Sequence, residues 1–270
     1  MDSIKHAVEL ARSAEQGARI VQPHSVGPQG NASDAIREIR LNSAHLEKNR
    51  IVAHGGISGQ PGRYYDMLRT QVLQEMDKKG WQFLAVTSPT PGCGKTVTAC
   101  NLAMSIARLP ERSVLLVDLD LRKPTLATYL GFKPEHDIID VLEGQDALAS
   151  AVVEAAIGPT KMLVLPGSTT SHNSSEWMAS QTMATLLERI KRDFRSRTVI
   201  FDLPPMLLGD DVISILPRMD AVLLIAAVGS TSVADIKECQ KHLQRTPVVR
   251  VVVNKTAGAA EEGFYGYGYY

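Results

Sequence analysis

Residues 86–96, with the sequence VTSPTPGCGKT, combine the residue types that bind phosphate groups. Gly92 and Gly94 allow a sharp turn whose backbone N–H groups converge on phosphate oxygens at the start of a helix. Lys95 can reach the outer phosphates of a nucleoside triphosphate, and the Thr96 hydroxyl can bind Mg²⁺. We therefore predict that ATP and Mg²⁺ bind here. The predicted contacts are made by Pro91, Gly92, Cys93, Gly94, Lys95, Thr96 and Val97.

The general phosphate-loop pattern has a glycine six residues before the lysine, where this chain has Pro89. The apolar residues before the loop predict a strand, and the apolar spacing of residues 102–107 after it predicts a helix. A strand, a glycine turn and a helix in this order favour a nucleotide site over a purely structural turn.

Two further apolar runs end in carboxylates. Residues 114–117 are followed by Asp118 and Asp120, and residues 198–201 are followed by Asp202. Ligands of parallel sheets bind beyond the carboxyl ends of the strands, so we expect these carboxylates close to the phosphate loop. Asp202 suits Mg²⁺ binding, and Asp118 and Asp120 can divide proton abstraction and metal binding between them. Their spacing leaves open which of the two is the base.

Strand and helix patterns alternate along most of the chain after residue 82. This alternation predicts an α/β fold, a P-loop NTPase whose mostly parallel β-sheet has helices on both faces. Residues 2–16 have the spacing of a short amphipathic helix, and residues 17–33 have the composition of a flexible linker. We expect another helical segment over residues 36–47 and one long helix over residues 175–194.

The composition argues against several other classes of protein. The 270 residues contain 29 Lys and Arg against 29 Asp and Glu, so we do not expect nucleic acid as a partner. The apolar stretch 221–228 is too short to cross a bilayer, and the N-terminus lacks a signal-peptide core. We therefore predict a cytoplasmic protein. The cysteines and histidines have no metal-ligand spacing.

In their order and form, the three segments resemble the bacterial tyrosine kinases (BY-kinases) of polysaccharide export, which call them Walker A, Walker A′ and Walker B. The middle segment, D-x-D-x-R-x-P from Asp118 to Pro124, is the most specific match. Replacement of the first loop glycine, as at Pro89, is usual in that family. The resemblance implies transfer of a phosphoryl group from ATP to tyrosine. The implied site residues are Lys95, Asp118 and Asp120 for catalysis, Thr96, Asp118, Asp120 and Asp202 for Mg²⁺, and Arg122 for the nucleotide.

Residues 263–270, with the sequence GFYGYGYY, resemble the C-terminal tyrosine cluster of that family, which is phosphorylated between neighbouring subunits. Glycines between the tyrosines favour a mobile tail that can extend a phenol into another molecule's active site. The predicted phosphoacceptors are Tyr265, Tyr267, Tyr269 and Tyr270. The domain prediction is an N-terminal helix and linker over 1–62, a P-loop kinase domain over 63–256 and a tyrosine-rich tail over 257–270.

The resemblance also implies partners. Free-standing members act with a membrane-embedded activator of the chain-length-regulator class, which would hold this chain at the inner face of the plasma membrane. They also self-associate and have a cognate tyrosine phosphatase. The family's ring-building helix carries E-x-x-R-x-x-R, where this chain has Arg63, Asp66 and Arg69. Arg63 and Asp66 exchange charges relative to that pattern and can still form a pair.

Two alternatives remain open at this stage. Partition and division-site ATPases share the sheet and both aspartate motifs, but they carry a second lysine five residues before the first, where this chain has Thr90. A nucleotide-gated scaffold that binds ATP and transfers nothing is the other alternative.

Overall fold

A computed structural model describes residues 36–52, 60–244 and 246–256. The predicted N-terminal helix, the predicted linker of residues 17–33 and the tyrosine-rich tail lie outside the described residues.

Within the described residues, eight strands form one sheet in the order β1-β4-β5-β3-β6-β2-β7-β8. The strands are β1 Arg37–Arg40, β2 Phe83–Thr87, β3 Val114–Asp118, β4 Val153–Ile157, β5 Thr160–Leu165, β6 Thr198–Asp202, β7 Ala221–Ala227 and β8 Val248–Asn254. All neighbouring pairs are parallel except the antiparallel pair β4 and β5. Every residue of β2, β3 and β7 is buried, as expected for central parallel strands.

Helices cover both faces of this sheet. They are α1 Ser43–Lys48, α2 Gln60–Lys79, α3 Lys95–Ala107, α4 Leu126–Leu130, α5 Ile138–Leu142, α6 Leu148–Ala151, α7 Ser174–Ala179, α8 Gln181–Asp193, α9 Asp211–Ile215 and α10 Val233–His242. One core layer contains Leu102 and Ile106 of α3, and the other contains Leu186 and Ile190 of α8. Each fully buried side chain of this size stabilises the fold by about 1.5–3 kcal/mol. The predicted fold class is confirmed.

The region before residue 62 contributes to the sheet. Residues 37–40, expected to be helical, form β1, which pairs with β4 in parallel, and α1 follows it. Lys161 joins the two strands because its ammonium lies 2.8 Å from Glu38 and 2.6 Å from Glu154. Strand pairing and cross-strand charge pairs override local propensity at such an edge.

Two other differences have local causes. Strand β4 was not predicted because its sequence, VEAAI, is rich in alanine. A Gly-Pro turn at residues 158–159 joins it to β5, with Gly158 at φ 54°. The long helix expected over residues 175–194 is two helices, α7 and α8, because Ser180 has extended backbone and its hydroxyl accepts the Met183 N–H at 3.0 Å.

Asp66 lies on α2 and pairs with neighbours other than Arg63. Its Oδ1 atom is 2.6 Å from the Ser105 hydroxyl, 2.5 Å from Arg108 and 3.2 Å from Arg69. Burial opposes its ionisation, but the hydrogen bond from Ser105 and the charge of Arg108 lower the pKa of Asp66. These contacts fasten α2 to the phosphate-loop helix α3.

Replacing Asp66 with alanine should lower the free energy of unfolding by about 1 kcal/mol, since it removes a partly exposed hydrogen-bonded ion pair. A lowered folded-state pKa means that the contribution is complete above the unfolded pKa near 4 and is lost as pH falls further. Urea unfolding at pH 7 and pH 3 checks this. Arg63→Ala is the matched control and should change little; an equal loss in both variants would contradict the assignment.

Candidate active site

The phosphate loop is fixed between two strands and two neighbouring loops. Strand β2 lies between β6 and β7, and the chain turns after Thr87 into the loop. The carbonyl oxygens of Ser88 and Pro89 accept N–H groups of Met206 and Leu207 at 2.8 and 3.1 Å. Pro89 therefore uses the hydrogen-bonding group that proline retains, which explains how this position accommodates the replacement of glycine.

Gly94 ends the loop and precedes the first residue of α3. Its φ is 92°, in the left-handed region that favours glycine, and Gly92 has φ 76°. A Cβ atom added to Gly94 would lie 2.3 Å from Asn254 Nδ2. The same Asn254 amide donates to the Cys93 carbonyl oxygen at 2.8 Å. The end of β8 thus supports the phosphate loop directly.

Replacing Gly94 with alanine should weaken ATP binding by at least about 100-fold, because the loop must shift to avoid Asn254 and relieve a backbone strain of about 1–2 kcal/mol. Equilibrium binding of a fluorescent ATP analogue measures this loss. Gly144→Ala is the control, since Gly144 has φ 74° and an added Cβ there meets nothing within 4 Å. Gly144→Ala should bind normally; normal binding by Gly94→Ala would contradict the geometry.

Lys95 brings the predicted carboxylates together with the loop. Its Nζ atom lies 2.8 Å from Asp120 Oδ2, 3.6 Å from Asp202 Oδ1 and 3.3 Å from the Thr96 hydroxyl. Although burial opposes its charge, Asp202 and Asp120 raise the pKa of Lys95, and Asp118 adds to the effect. The positive lysine therefore balances negative charge at the ends of β3 and β6.

Asp202 and Thr96 form the expected hard-oxygen site. The Thr96 hydroxyl donates to Asp202 Oδ2 at 2.6 Å, and Asp202 is fully buried. Burial raises the pKa of Asp202, although Lys95 and Thr96 oppose that shift. Asp202 Oδ1 is buried without a hydrogen-bond partner, since the Lys95 ammonium at 3.6 Å is beyond hydrogen-bond distance, and this oxygen can therefore accept a metal ion or water. These oxygens fit Mg²⁺.

Asp118 is held by backbone groups on both of its oxygens. Oδ2 accepts the N–H groups of Thr125 and Leu126 at 3.1 and 3.0 Å, and Oδ1 accepts that of Asp120 at 3.2 Å. Asp118 is fully buried and lies directly opposite Asp202 in the pairing of β3 with β6. Burial, and next the charge of Asp202, raise the pKa of Asp118 to about 8.

Asp120 has a different environment. Its Oδ2 atom pairs with Lys95, while Oδ1 accepts the Lys123 N–H at 3.0 Å, and 4% of the residue is exposed. The two aspartates are therefore distinct. Asp118 shapes the turn, whereas Asp120 contacts the lysine that would bind the outer phosphates.

Arg122, implied to bind nucleotide, is held by a residue that the sequence reasoning missed. Its Nε and Nη2 atoms lie 2.8 and 2.7 Å from Asp211 Oδ2. Asp211 is the first residue of α9 and is 2% exposed. The sequence contained one signal for this role: Asp211 is the second of two consecutive aspartates in the segment after β6, nine residues beyond Asp202.

The remaining predicted loop residues occupy the rim and base of the site. Pro91 and Gly92 are exposed, and Val97 is partly buried in the first turn of α3. The Cys93 thiol is buried and donates to the Thr90 carbonyl oxygen at 3.2 Å. Its backbone is therefore the part that can face a phosphate. The four predicted acceptor tyrosines lie outside the described residues.

Together, the glycine turn at a helix N-terminus and the carboxylates of the adjacent strands define a P-loop nucleotide-binding protein. Within that class, the chain belongs to the family described as the CobQ/CobB/MinD/ParA nucleotide binding domain, whose model matches residues 84–265. No helix among the described residues combines the length and apolar character needed to span a membrane.

Within this family, individual relatives that resemble the chain are named tyrosine-protein kinases. The chain is 33% identical over 203 residues to a putative tyrosine-protein kinase EpsB of Ralstonia nicotianae, covering 75% of this chain and 26% of that protein. The chain thus spans about a quarter of that relative's length. It is 29% identical to the tyrosine-protein kinase CpsD of Streptococcus pneumoniae, covering 75% of this chain and 89% of CpsD.

Among solved structures, the kinase domain of the Escherichia coli tyrosine kinase ETK superposes with a TM-score of 0.69 at 25% identity. The match covers 80% of this chain and 84% of that one. The expected resemblance to bacterial tyrosine kinases is therefore confirmed.

Proposed function

We propose that this protein is an ATP-dependent protein-tyrosine kinase that phosphorylates its own C-terminal tyrosine cluster between molecules. The observation that carries the proposal is the convergence of Lys95, Thr96, Asp120 and Asp202 at the ends of three adjacent strands. The same chain has four closely spaced tyrosines within residues 265–270. The similarity to named tyrosine kinases supports it.

The residues of the site have separate roles in this reaction. The loop amides and Lys95 bind the phosphates of ATP, so Lys95 exchanges its carboxylate partners for phosphate oxygens and stabilises the charge of the transfer. Thr96 and Asp202 would hold Mg²⁺, which neutralises charge on the outer phosphates when bound. Asp118 holds the turn that presents Asp120.

Asp120 acts as the general base. The acceptor is a phenol with a pKa near 10, so its attack at neutral pH benefits from a carboxylate that removes its proton. Asp120 is suited because it is slightly exposed and its Oδ2 atom, among the described residues, contacts only Lys95, which moves to phosphate oxygens when ATP binds. Asp118, by contrast, is fully buried and its two oxygens accept three backbone N–H groups. The oxygen of the phenol forms the new bond to phosphorus as the bond to ADP breaks.

Function in the cell follows from the resemblance. We propose that the protein works at the inner face of the plasma membrane through a membrane-embedded activator of the chain-length-regulator class, and that it regulates polysaccharide polymerisation and export. A cognate tyrosine phosphatase would reverse the modification.

Incubation of the purified full chain with Mg-ATP should produce phosphotyrosine in residues 265–270, detected by mass spectrometry. A Lys95→Met variant alone and a chain cut before Phe264 alone should stay unlabelled. Mixing the two should label the Lys95→Met protein, because the cut chain retains the nucleotide site. Absence of labelling in the mixture would exclude transfer between molecules. Release of free phosphate without protein labelling would instead support an ATPase.

A further inference from the structure

We propose that Arg122, positioned by Asp211, binds the acidic residues Glu261 and Glu262 that precede the acceptor tyrosines. This inference rests on the proposed function and deepens it. It makes the protein a tyrosine kinase that prefers acceptors with acidic residues a few positions before the tyrosine.

The guanidinium of Arg122 is fixed and only partly used. Both contacts to Asp211 go to one oxygen, Oδ2, from Nε at 2.8 Å and Nη2 at 2.7 Å. A guanidinium has five N–H donors, so others remain for a second anion. The Arg122 side chain is 43% exposed, whereas that of Asp211 is 3% exposed. A buried carboxylate thus holds an accessible guanidinium cation in one orientation.

The loop after β6 completes this arrangement. A Cβ atom added to Gly209 would lie 3.0 Å from Arg122 Nη2, so the guanidinium packs closely against the Gly209 backbone. Asp211 Oδ1 is buried and has no hydrogen-bond partner. Asp211 therefore contacts Arg122 through one oxygen only.

In this proposal the acceptor enters from the side of the sheet on which Arg122 lies. In-line transfer places the attacking hydroxyl and the leaving group on opposite sides of the phosphoryl group. The leaving group, ADP, would lie along the phosphate loop, whose helix α3 packs in one core layer. Leu121 and Val212, next to Arg122 and Asp211 in the chain, belong to the other core layer. Arg122 follows Asp120 by two residues, and exposed Lys123 adds positive charge.

The C-terminal segment has the complementary composition. Residues 257–270 contain Glu261 and Glu262, four tyrosines and no lysine or arginine. Glu262 precedes Tyr265 by three residues, a separation of about 10 Å in extended chain. A carboxylate on Arg122 would therefore hold Tyr265 within about 10 Å of the guanidinium, which follows Asp120 by two residues. Charge-assisted hydrogen bonds to arginine provide the specificity.

The test uses peptides of residues 257–270 as acceptors. The enzyme is the full chain with all four tail tyrosines changed to phenylalanine and with Glu261→Gln and Glu262→Gln, so its own tail does not compete. We expect the Glu261→Gln, Glu262→Gln peptide to have a KM about three- to tenfold above that of the native peptide, with kcat little changed, as expected for two partly exposed ion pairs. Equal KM values would overturn the inference while the proposed function stands. Phosphorylation of neither peptide would overturn both.

Variants of the enzyme test the positioning role. Arg122→Gln should abolish the difference between the two peptides, and Asp211→Asn should raise the KM for the native peptide while leaving the KM for ATP unchanged. Lys78→Gln is the matched control, because Lys78 is an exposed lysine in the last turn of α2. This variant should retain the full difference in KM between the two peptides. If Arg122→Gln still discriminates between the peptides, or if Asp211→Asn raises the KM for ATP instead, the inference fails.

Discussion

Replacing Lys95 with methionine should reduce phosphotyrosine formation by about 1000-fold or more and should also destabilise the protein without nucleotide. The catalytic loss follows because the variant lacks the ammonium group that would stabilise the transferred phosphoryl group in a mostly buried site. The loss of stability follows because Lys95 balances Asp120 and Asp202, and removing one partner of a buried ion pair costs about 3–5 kcal/mol.

The second effect has a definite pH dependence. Asp118 and Asp202 have raised pKa values, and loss of the lysine charge raises them further. A carboxyl group with a raised folded-state pKa binds more protons in the folded state than in the unfolded state, so stability falls as pH rises. Thermal unfolding should therefore show a Lys95→Met deficit that is large at pH 8 and smaller at pH 5.

Two controls separate chemistry from folding. Lys95→Arg keeps the positive charge, so it should recover most of the stability while remaining impaired in transfer, because a guanidinium does not reproduce a compact ammonium. Lys78→Met, at an exposed site, should change neither property. Self-labelling by Lys95→Met alone at the wild-type rate would contradict the assignment of Lys95.

The parts of the site that the sequence predicts are local in the chain. The phosphate loop, the turn after β3 that carries Asp118 and Asp120 (the A′ turn) and Asp202 each carry their own signal, a glycine turn or a carboxylate directly after an apolar run. Parallel strands then bring these ends together whatever their separation along the chain. The antiparallel pair and the β1 edge carried no such signal, since short strands rich in alanine or charge depend on their neighbours for pairing.

The residues that sequence reasoning did not assign act over long separations. Asp211 reaches Arg122 across 89 positions, and Asn254 reaches Cys93 across 161. Neither residue has a local pattern that distinguishes it from a helix-capping or turn residue. Their roles appear only when the sheet places the loop after β6 and the end of β8 beside the phosphate loop and the A′ turn.

The chemistry of transfer should depend on Asp120 and much less directly on Asp118. Asp120→Asn keeps an oxygen that can accept from Lys95 but turns its N–H₂ group toward the Lys123 N–H, so some stability is lost. ATP binding should persist while kcat falls by about 10²–10⁴-fold through loss of the base. Asp118→Asn presents an N–H₂ group to backbone donors that now meet the oxygens of the Asp118 carboxyl group. It should cost about 1–3 kcal/mol of stability for an unsatisfied buried donor.

An acceptor that needs no base distinguishes these roles. Fluorine substitution on the ring lowers the pKa of a tyrosine phenol, so a peptide of residues 257–270 with 3,5-difluorotyrosine at Tyr265 is already largely ionised at pH 8. With the enzyme whose four tail tyrosines are changed to phenylalanine, this peptide should restore most of the kcat lost in Asp120→Asn and little of any loss in Asp118→Asn. Because an ionised phenol bypasses only proton removal, rescue of Asp118→Asn with none of Asp120→Asn would assign the base to Asp118 instead.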